Sequence, residues 1–232
     1  LIKSLNSSET SIITIEDPVE YAIDDVRQIQ VNPRTGLTFA NGLRSILRQD
    51  PNVIMVGEIR DIETANIAVN TALTGHLLLS TIHTSDAATT LPRLLDMKIE
   101  PYLIASTVNL AIGQRLIRKI CEKCKTEKKV SEMEKKSMTE ALNLLASNDC
   151  KTIFYGSGCD DCGGSGYKGR VVIAEVIYVD NDIRDAILRK ASASEIKKIA
   201  IKNGMTTIGE EGLKKVKRGE TSIEEILRVV HE

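Results

Sequence analysis

Two acidic clusters stand at the ends of two apolar runs. Ile12-Ile13-Thr14-Ile15 leads into Glu16-Asp17-Pro18-Val19-Glu20, and Val53-Ile54-Met55-Val56 leads into Gly57-Glu58-Ile59-Arg60-Asp61. In open α/β sheets, ligands gather at the carboxyl ends of parallel strands. Carboxylates at two such ends suit nucleotide hydrolysis, one holding Mg²⁺ and one orienting or activating the attacking water. A third apolar run, 77–81, is bracketed by His76 and His83. Extended, it separates the two imidazoles by about 20 Å, which argues against one shared metal. His83 lies on the ligand side and is the better functional candidate, as a sensor of bound phosphate. Each acid taken alone also fits an exposed loop; three strand ends converging favour a site.

A second constellation is made of thiols. Cys121-x2-Cys124 and Cys159-x2-Cys162 form two pairs, and Cys150 is left over as a bystander. Paired knuckles of this spacing suit a closed tetrahedral structural zinc site with Zn–S distances of ~2.3 Å. A reducing compartment fits this pattern better than a secreted disulfide scaffold does.

The elements that must position these groups follow from periodicity and caps. The runs at 12–15, 53–56 and 77–81 read as buried strands, and Val26 to Val31 as a half-buried one, with Gln28 and Gln30 on one face and Arg27 and Ile29 on the other. Thr38 caps a helix to about Gln49, Asp61 caps one through Leu73 that Gly75 stops, and Ser85 or Asp86 opens another. Apolar strands separated by helices indicate a parallel sheet covered on both faces. Beyond Arg118 the chain turns Lys- and Glu-rich. Ser131/Glu134, Ser192/Glu195 and Thr221/Glu224 read as capping boxes, the first opening a helix that carries Met138, Ala141, Leu142 and Leu145. A Gly-rich loop, 156–169, holds the second thiol pair, and Val171 to Val179 reads as a strand. The expected domains are 1–118, 119–170 and 171–232.

Composition excludes several classes. Among 232 residues, 31 are Lys or Arg and 32 Asp or Glu, a net charge of -1, which argues against a wholesale nucleic-acid binder. With 2 Phe, 5 Tyr and no Trp, a base-stacking platform has little to work with. No apolar run approaches the ~18 residues of a membrane helix, and no signal peptide is visible. Gly-x-x-x-x-Gly-Lys-[Ser/Thr] occurs nowhere. The stretch 163–169 approximates it but lacks the Gly-Lys-[Ser/Thr] end and a preceding buried strand.

Together these segments carry a resemblance. Residues 14–21, Thr-Ile-Glu-Asp-Pro-Val-Glu-Tyr, resemble the aspartate box of secretion and pilus ATPases. Residues 43–61 resemble their Walker B region, and residues 75–84 their histidine box. The thiol pairs, set in 114–118 and 158–170, resemble the tetracysteine motif of the extension branch, the type IV pilus assembly and type II secretion ATPases. The likeness is strong over 11–180 and continues to Glu232. It implies a RecA-like parallel sheet with flanking helices, a P-loop NTPase fold truncated at its start. A small zinc-binding tetracysteine region and a C-terminal helical subdomain would follow. Glu16 would be the catalytic glutamate, Glu58 the Walker B acid on Mg²⁺, and His83 and His76 the histidine-box residues. Arg27 would reach a neighbouring subunit's phosphates. Arg44 and Arg60 are alternatives, and with Glu20 and Glu58 they complete the candidate nucleotide-contacting set.

The implied cofactors are ATP, Mg²⁺ and Zn²⁺. The implied assembly is a homo-hexamer in the bacterial cytoplasm, peripheral to the inner membrane, working with an inner-membrane platform protein and a cytoplasmic adaptor and without nucleic acid. In the family the phosphate loop precedes a helix within which Leu1 begins, so this chain is expected to be a fragment. Gly57 stands where many nucleotide hydrolases have a metal-binding Asp, and Arg170-Val-Val-Ile-Ala-Glu175 departs from the family's usual Arg-Thr-Gly-Ile-Tyr-Glu. The competing readings are a zinc-stabilised interaction module without enzyme activity, and a RecA-like hydrolase acting on nucleic acid.

Overall fold

The computed structural model describes residues 1–131, 133 and 152–231. The chain divides into two compact units: Leu1–Ala111 with Tyr178–Ile199, and Ile112–Ile177 with Ala200–Glu232.

The first unit is built on a four-stranded sheet. Its strands are β1 (Ile12–Glu16), β2 (Arg27–Gln30), β3 (Val53–Val56) and β4 (Leu77–Ser80), in the order β2-β1-β3-β4. All three pairings are parallel, with Glu16 opposite Gln30, Ile15 opposite Val56 and Val56 opposite Ser80. Ile12, Ile13, Thr14 and Ile15 are all buried, as both faces of a central parallel strand require. Helices α1 (Ile2–Leu5), α2 (Phe39–Ile46), α3 (Ile62–Leu73), α4 (Ala87–Asp96), α5 (Pro101–Thr107) and α6 (Asn181–Leu188) complete the unit.

The helix starts are set by side-chain oxygens that accept otherwise unpaired N–H groups. Thr38 accepts from Asn41 at 3.2 Å, Asp61 from Thr64 at 2.7 Å and Asp86 from Thr89 at 2.8 Å. Gly75, at φ 100°, ends α3. The α2 helix lies so close to the sheet that a Cβ on Gly42 would sit 2.0 Å from Ile15 Cδ1. One expectation is corrected here. β4 was read as buried, but its ends are exposed, with Leu77 at 44%. Among the described residues β4 pairs only with β3, so it forms an edge of the sheet.

The second unit holds two ribbons. β5 (Leu110–Ile120) pairs with β8 (Tyr167–Tyr178), and β6 (Lys125–Lys129) pairs antiparallel with β7 (Thr152–Gly156). Ile117, Ile153 and Ile173 pack with Leu213 and Val216 of α8 (Ile208–Lys217) and Ile223, Ile226 and Val229 of α9 (Ile223–His231). The helix α7 (Ala193–Lys202) spans the boundary between the units in sequence. Thr207 and Glu210 form a reciprocal capping box for α8 that sequence reading missed. In place of the box expected at Thr221/Glu224, Ser222 accepts from the Glu225 N–H, while the Thr221 hydroxyl donates to the Arg118 carbonyl. The strand expected at 171–179 begins at Tyr167. The Ser131/Glu134 box, its helix and Cys150 lie outside the described residues. No helix among the described residues is long and apolar enough to cross a membrane.

Glu225 is a buried charge of this unit, with 1% of its side chain exposed. It accepts from the Arg118 backbone N–H at 2.9 Å, the Arg118 guanidinium at 2.6 Å and Arg228 Nε at 3.0 Å. Arg118 also lies 4.2 Å from the centre of the Tyr167 ring, whose hydroxyl meets Ser222 at 2.6 Å. Burial opposes ionisation of Glu225, but the hydrogen bonds from Arg118 and Arg228 outweigh it and hold the carboxyl down at about 2. A depressed carboxylate stabilises the fold fully above its unfolded pKa near 4.5 and loses that stability as pH falls toward 2. Both arginines are about half exposed, so we expect roughly 2 kcal/mol rather than the full linkage value. Denaturant unfolding of wild type and Glu225→Gln at pH 7 and pH 3 checks this: the gap between them should narrow at the lower pH. A gap that does not change with pH would remove the ionic role of Glu225.

Candidate functional site

The register of the sheet places the ends of β1, β3 and β4 in a row. The Gly57 N–H donates to the Ile15 carbonyl at 2.7 Å, and the Ile59 N–H to the Thr81 carbonyl at 2.9 Å. Thr81 Oγ1 donates to the Gly57 carbonyl at 2.7 Å. Glu16 and Glu58 therefore leave neighbouring strands at the same carboxyl end of the sheet. A Cβ on Gly57 would lie 3.2 Å from the Ile15 carbonyl oxygen and 3.3 Å from Glu16 Cα. An Asp at this position would press β3 away from β1, which gives a steric reason for the glycine.

Each glutamate is held by specific donors. Glu58 takes Arg60 on Oε1 at 2.5 Å and His83 Nε2 on Oε2 at 3.0 Å. A carboxylate can only accept, so His83 carries its hydrogen on Nε2 in this contact. Arg60 is the main reason that the Glu58 carboxyl sits below its usual range; partial burial opposes the shift and His83 adds to it. Glu16 is half-buried, and its Oε1 accepts from Thr14 Oγ1 at 2.5 Å and Gln28 Nε2 at 2.9 Å. Sequence reading put forward Glu16 but neither of its donors. The available signal was period two, which puts Thr14 and Glu16 on one face, but the pairing of Thr14 with Gln28 needed the parallel register.

The other candidates are more dispersed. His76 lies before β4, its Nδ1 near Thr74 Oγ1 at 3.2 Å and the Thr71 carbonyl at 3.3 Å, at the opposite end of the strand from Glu58. Arg44, on α2, pairs with Glu63 on α3 at 2.6 Å. Arg27 is exposed at the start of β2, and Glu20 is exposed in the loop after the cis Asp17–Pro18 bond. Among the candidates, Arg60 and His83 are the ones brought onto a strand-end glutamate.

The four thiols meet in the second unit. The Sγ atoms of Cys121, Cys124, Cys159 and Cys162 lie within 4.8 Å of one another and could hold a metal ion. Sulfurs on a tetrahedron ~2.3 Å from its centre stand about 3.8 Å apart. The Cys121–Cys159 and Cys124–Cys162 distances are 3.9 Å, and Cys159–Cys162 is 3.8 Å. Two backbone N–H groups, of Cys159 and Gly166, donate to Cys162 Sγ at 3.2 Å each. Burial works against the Cys162 thiolate, but these donors bring the thiol down to about 6. Burial first, and then the neighbouring sulfurs, push Cys124 up to about 12. Asp161, bonded to Lys123 at 3.0 Å and Lys168 at 2.8 Å, closes the outer side of the cluster. A soft, divalent, tetrahedral ion fits this donor set.

The family model described as Type II/IV secretion system protein matches residues 1–228. The chain is 47% identical to the type IV pilus assembly ATPase PilB of Thermus thermophilus, over 98% of this chain and 25% of that protein. It is 46% identical to the type II secretion system protein E of Xanthomonas campestris pv. campestris, over 100% of this chain and 40% of that protein. It thus spans less than half the length of these relatives. Among solved structures, the pilus retraction motor PilT with bound ADP aligns with a TM-score of 0.67 and 26% identity, covering 98% of this chain and 55% of that one. The expected RecA-like fold is therefore present, and the chain belongs to the type II/IV secretion system protein family.

Proposed function

We propose that this chain carries the catalytic strand-end face of a hexameric ATPase that drives type IV pilus assembly or type II secretion. The observation that carries the reading is the pair of glutamates at adjacent ends of a parallel sheet, each oriented by dedicated donors. Glu16 takes the proton of the water that attacks the γ-phosphate. Glu58 holds Mg²⁺, directly or through water, and Mg²⁺ neutralises phosphate charge when bound. His83, on Glu58, senses the γ-phosphate. Arg27, exposed on β2, neutralises charge on a neighbouring copy's phosphates, which makes an oligomer part of the site. Cys121, Cys124, Cys159 and Cys162 hold a structural zinc with no open position for a hydrolytic water. The motor works at the cytoplasmic face of the inner membrane, with a platform protein and an adaptor as partners.

The test compares two chains in a malachite-green phosphate assay. One is the 232-residue chain. The other places the same residues after a segment carrying Gly-x-x-x-x-Gly-Lys-[Ser/Thr]. Positioning and charge neutralisation supply nearly all of phosphoryl-transfer catalysis, and that loop provides most of the hold on the β- and γ-phosphates. The shorter chain should hydrolyse ATP negligibly. The longer one should turn over, with specific activity rising with protein concentration. Equal turnover by both would mean that another phosphate cradle exists, and would overturn this account.

A further inference from the structure

We propose that Gln28 is a positioning residue for Glu16. This rests on the reading of Glu16 as the catalytic base. Gln28 stands opposite Thr14 in the parallel register, and Glu16 follows Thr14 by two residues, so all three side chains share one face of the sheet. The Gln28 amide is fully engaged. Its Oε1 accepts from the Ile23 N–H at 2.8 Å, and its Nε2 donates to the Tyr21 carbonyl at 3.1 Å and to Glu16 Oε1 at 2.9 Å. The Ile23 N–H needs an acceptor, which settles which end of the amide faces Glu16.

Thr14 and Gln28 both donate to the same oxygen, Oε1. Among the described residues nothing donates to Oε2. The carboxylate is thus clamped through one oxygen, and the other is left to accept a proton. Thr14 alone allows the carboxylate to turn about its single donor, whereas two donors from adjacent strands fix its plane. Gln28 also couples that plane to the exposed loop from Asp17 to Val26. It grips the loop at Tyr21 and Ile23, and Gln30, one pair further along, accepts from the Val19 N–H at 3.5 Å. A displacement of this loop is therefore felt at the base through one amide.

The experiment uses the longer, turnover-competent chain with Gln28→Leu, Glu16→Gln and the double variant. Gln28→Leu should lower kcat by about 10- to 100-fold, the scale of a misplaced catalytic group, with KM and ADP affinity unchanged. In the Glu16→Gln background, Gln28→Leu should cost nothing further, because it acts through the carboxylate. A merely structural role would lower ADP affinity or add its full loss in the double variant, and either result overturns the proposal. So does a Gln28→Leu enzyme of wild-type kcat. Gln28→Glu covers the case in which the leucine variant does not fold. It retains an acceptor for Ile23 but turns a second acceptor toward Glu16, and should lower kcat at least as far. Wild-type kcat in a folded Gln28→Glu protein also overturns the proposal. If Glu16→Gln itself turns over normally, it is the assignment of Glu16 that fails. If Glu16→Gln is inactive while the Gln28 variants are normal, only the role of Gln28 fails.

Discussion

Glu16→Gln, in a chain that binds ATP, is expected to lose turnover by ~10²- to 10⁴-fold, the range a general base contributes. ADP binding should remain within a factor of about two, since the amide is nearly isosteric with the carboxylate. The size of the effect follows from the clamp. Thr14 Oγ1 and Gln28 Nε2 already define where Oε1 sits, so the substituted amide is held in the same place. It then presents to the water a group that cannot take a proton. Steady-state phosphate release at saturating MgATP, with nucleotide binding followed by a fluorescent ADP analogue, measures both quantities. A variant with kcat near that of wild type would falsify the general-base assignment and move attention to Glu58.

The second large effect concerns the thiol cluster. Purified protein should contain one zinc per chain by elemental analysis, and Cys124→Ser should bring this well below one. Structural zinc contributes about 10–16 kcal/mol of binding energy in small zinc-finger peptides, and that energy is folding energy. Cys121 and Cys124 are buried, and the Cys121 N–H bonds the Gly166 carbonyl while the Ser157 N–H bonds the Cys124 carbonyl. Without a metal, these segments would be held by hydrogen bonds around a set of crowded sulfurs. Amide exchange in β6 and β7 should accelerate by orders of magnitude in Cys124→Ser or after chelation, more than in β1 and β3 of the first unit. Uniform exchange before and after metal removal, or fully occupied Cys124→Ser protein, would rule out the structural ion.

What the sequence revealed depended on how local the physics was. Thr38, Asp61 and Asp86 could be read as caps because each satisfies an N–H three residues on. β1 and β3 could be read because each is a short, nearly continuous apolar run rich in Ile and Val. β5, β6 and β7 were not foreseen. Lys125-Thr-Glu-Lys-Lys129 has no apolar alternation, and it is a strand because β7 pairs with it across a long interval. The exposed ends of β4 follow from its place in the strand order, which spacing does not encode. The same limit applied to the site. Glu16, Glu58 and His83 were put forward from strand ends, while Gln28 was one of two glutamines on a face of a half-buried strand until the register set it beside Thr14.

The β6–β7 register has a practical consequence. Lys129 stands directly opposite Thr152, so the chain leaves and re-enters the ribbon at one point. Whatever length of polypeptide joins these two residues, its ends are already brought together by the ribbon and the thiol pairs behind it. An epitope or a fluorescent protein inserted between Lys129 and Thr152 therefore enters and leaves where the two strands end, and the ladder from Lys125 to Lys129 keeps its partners.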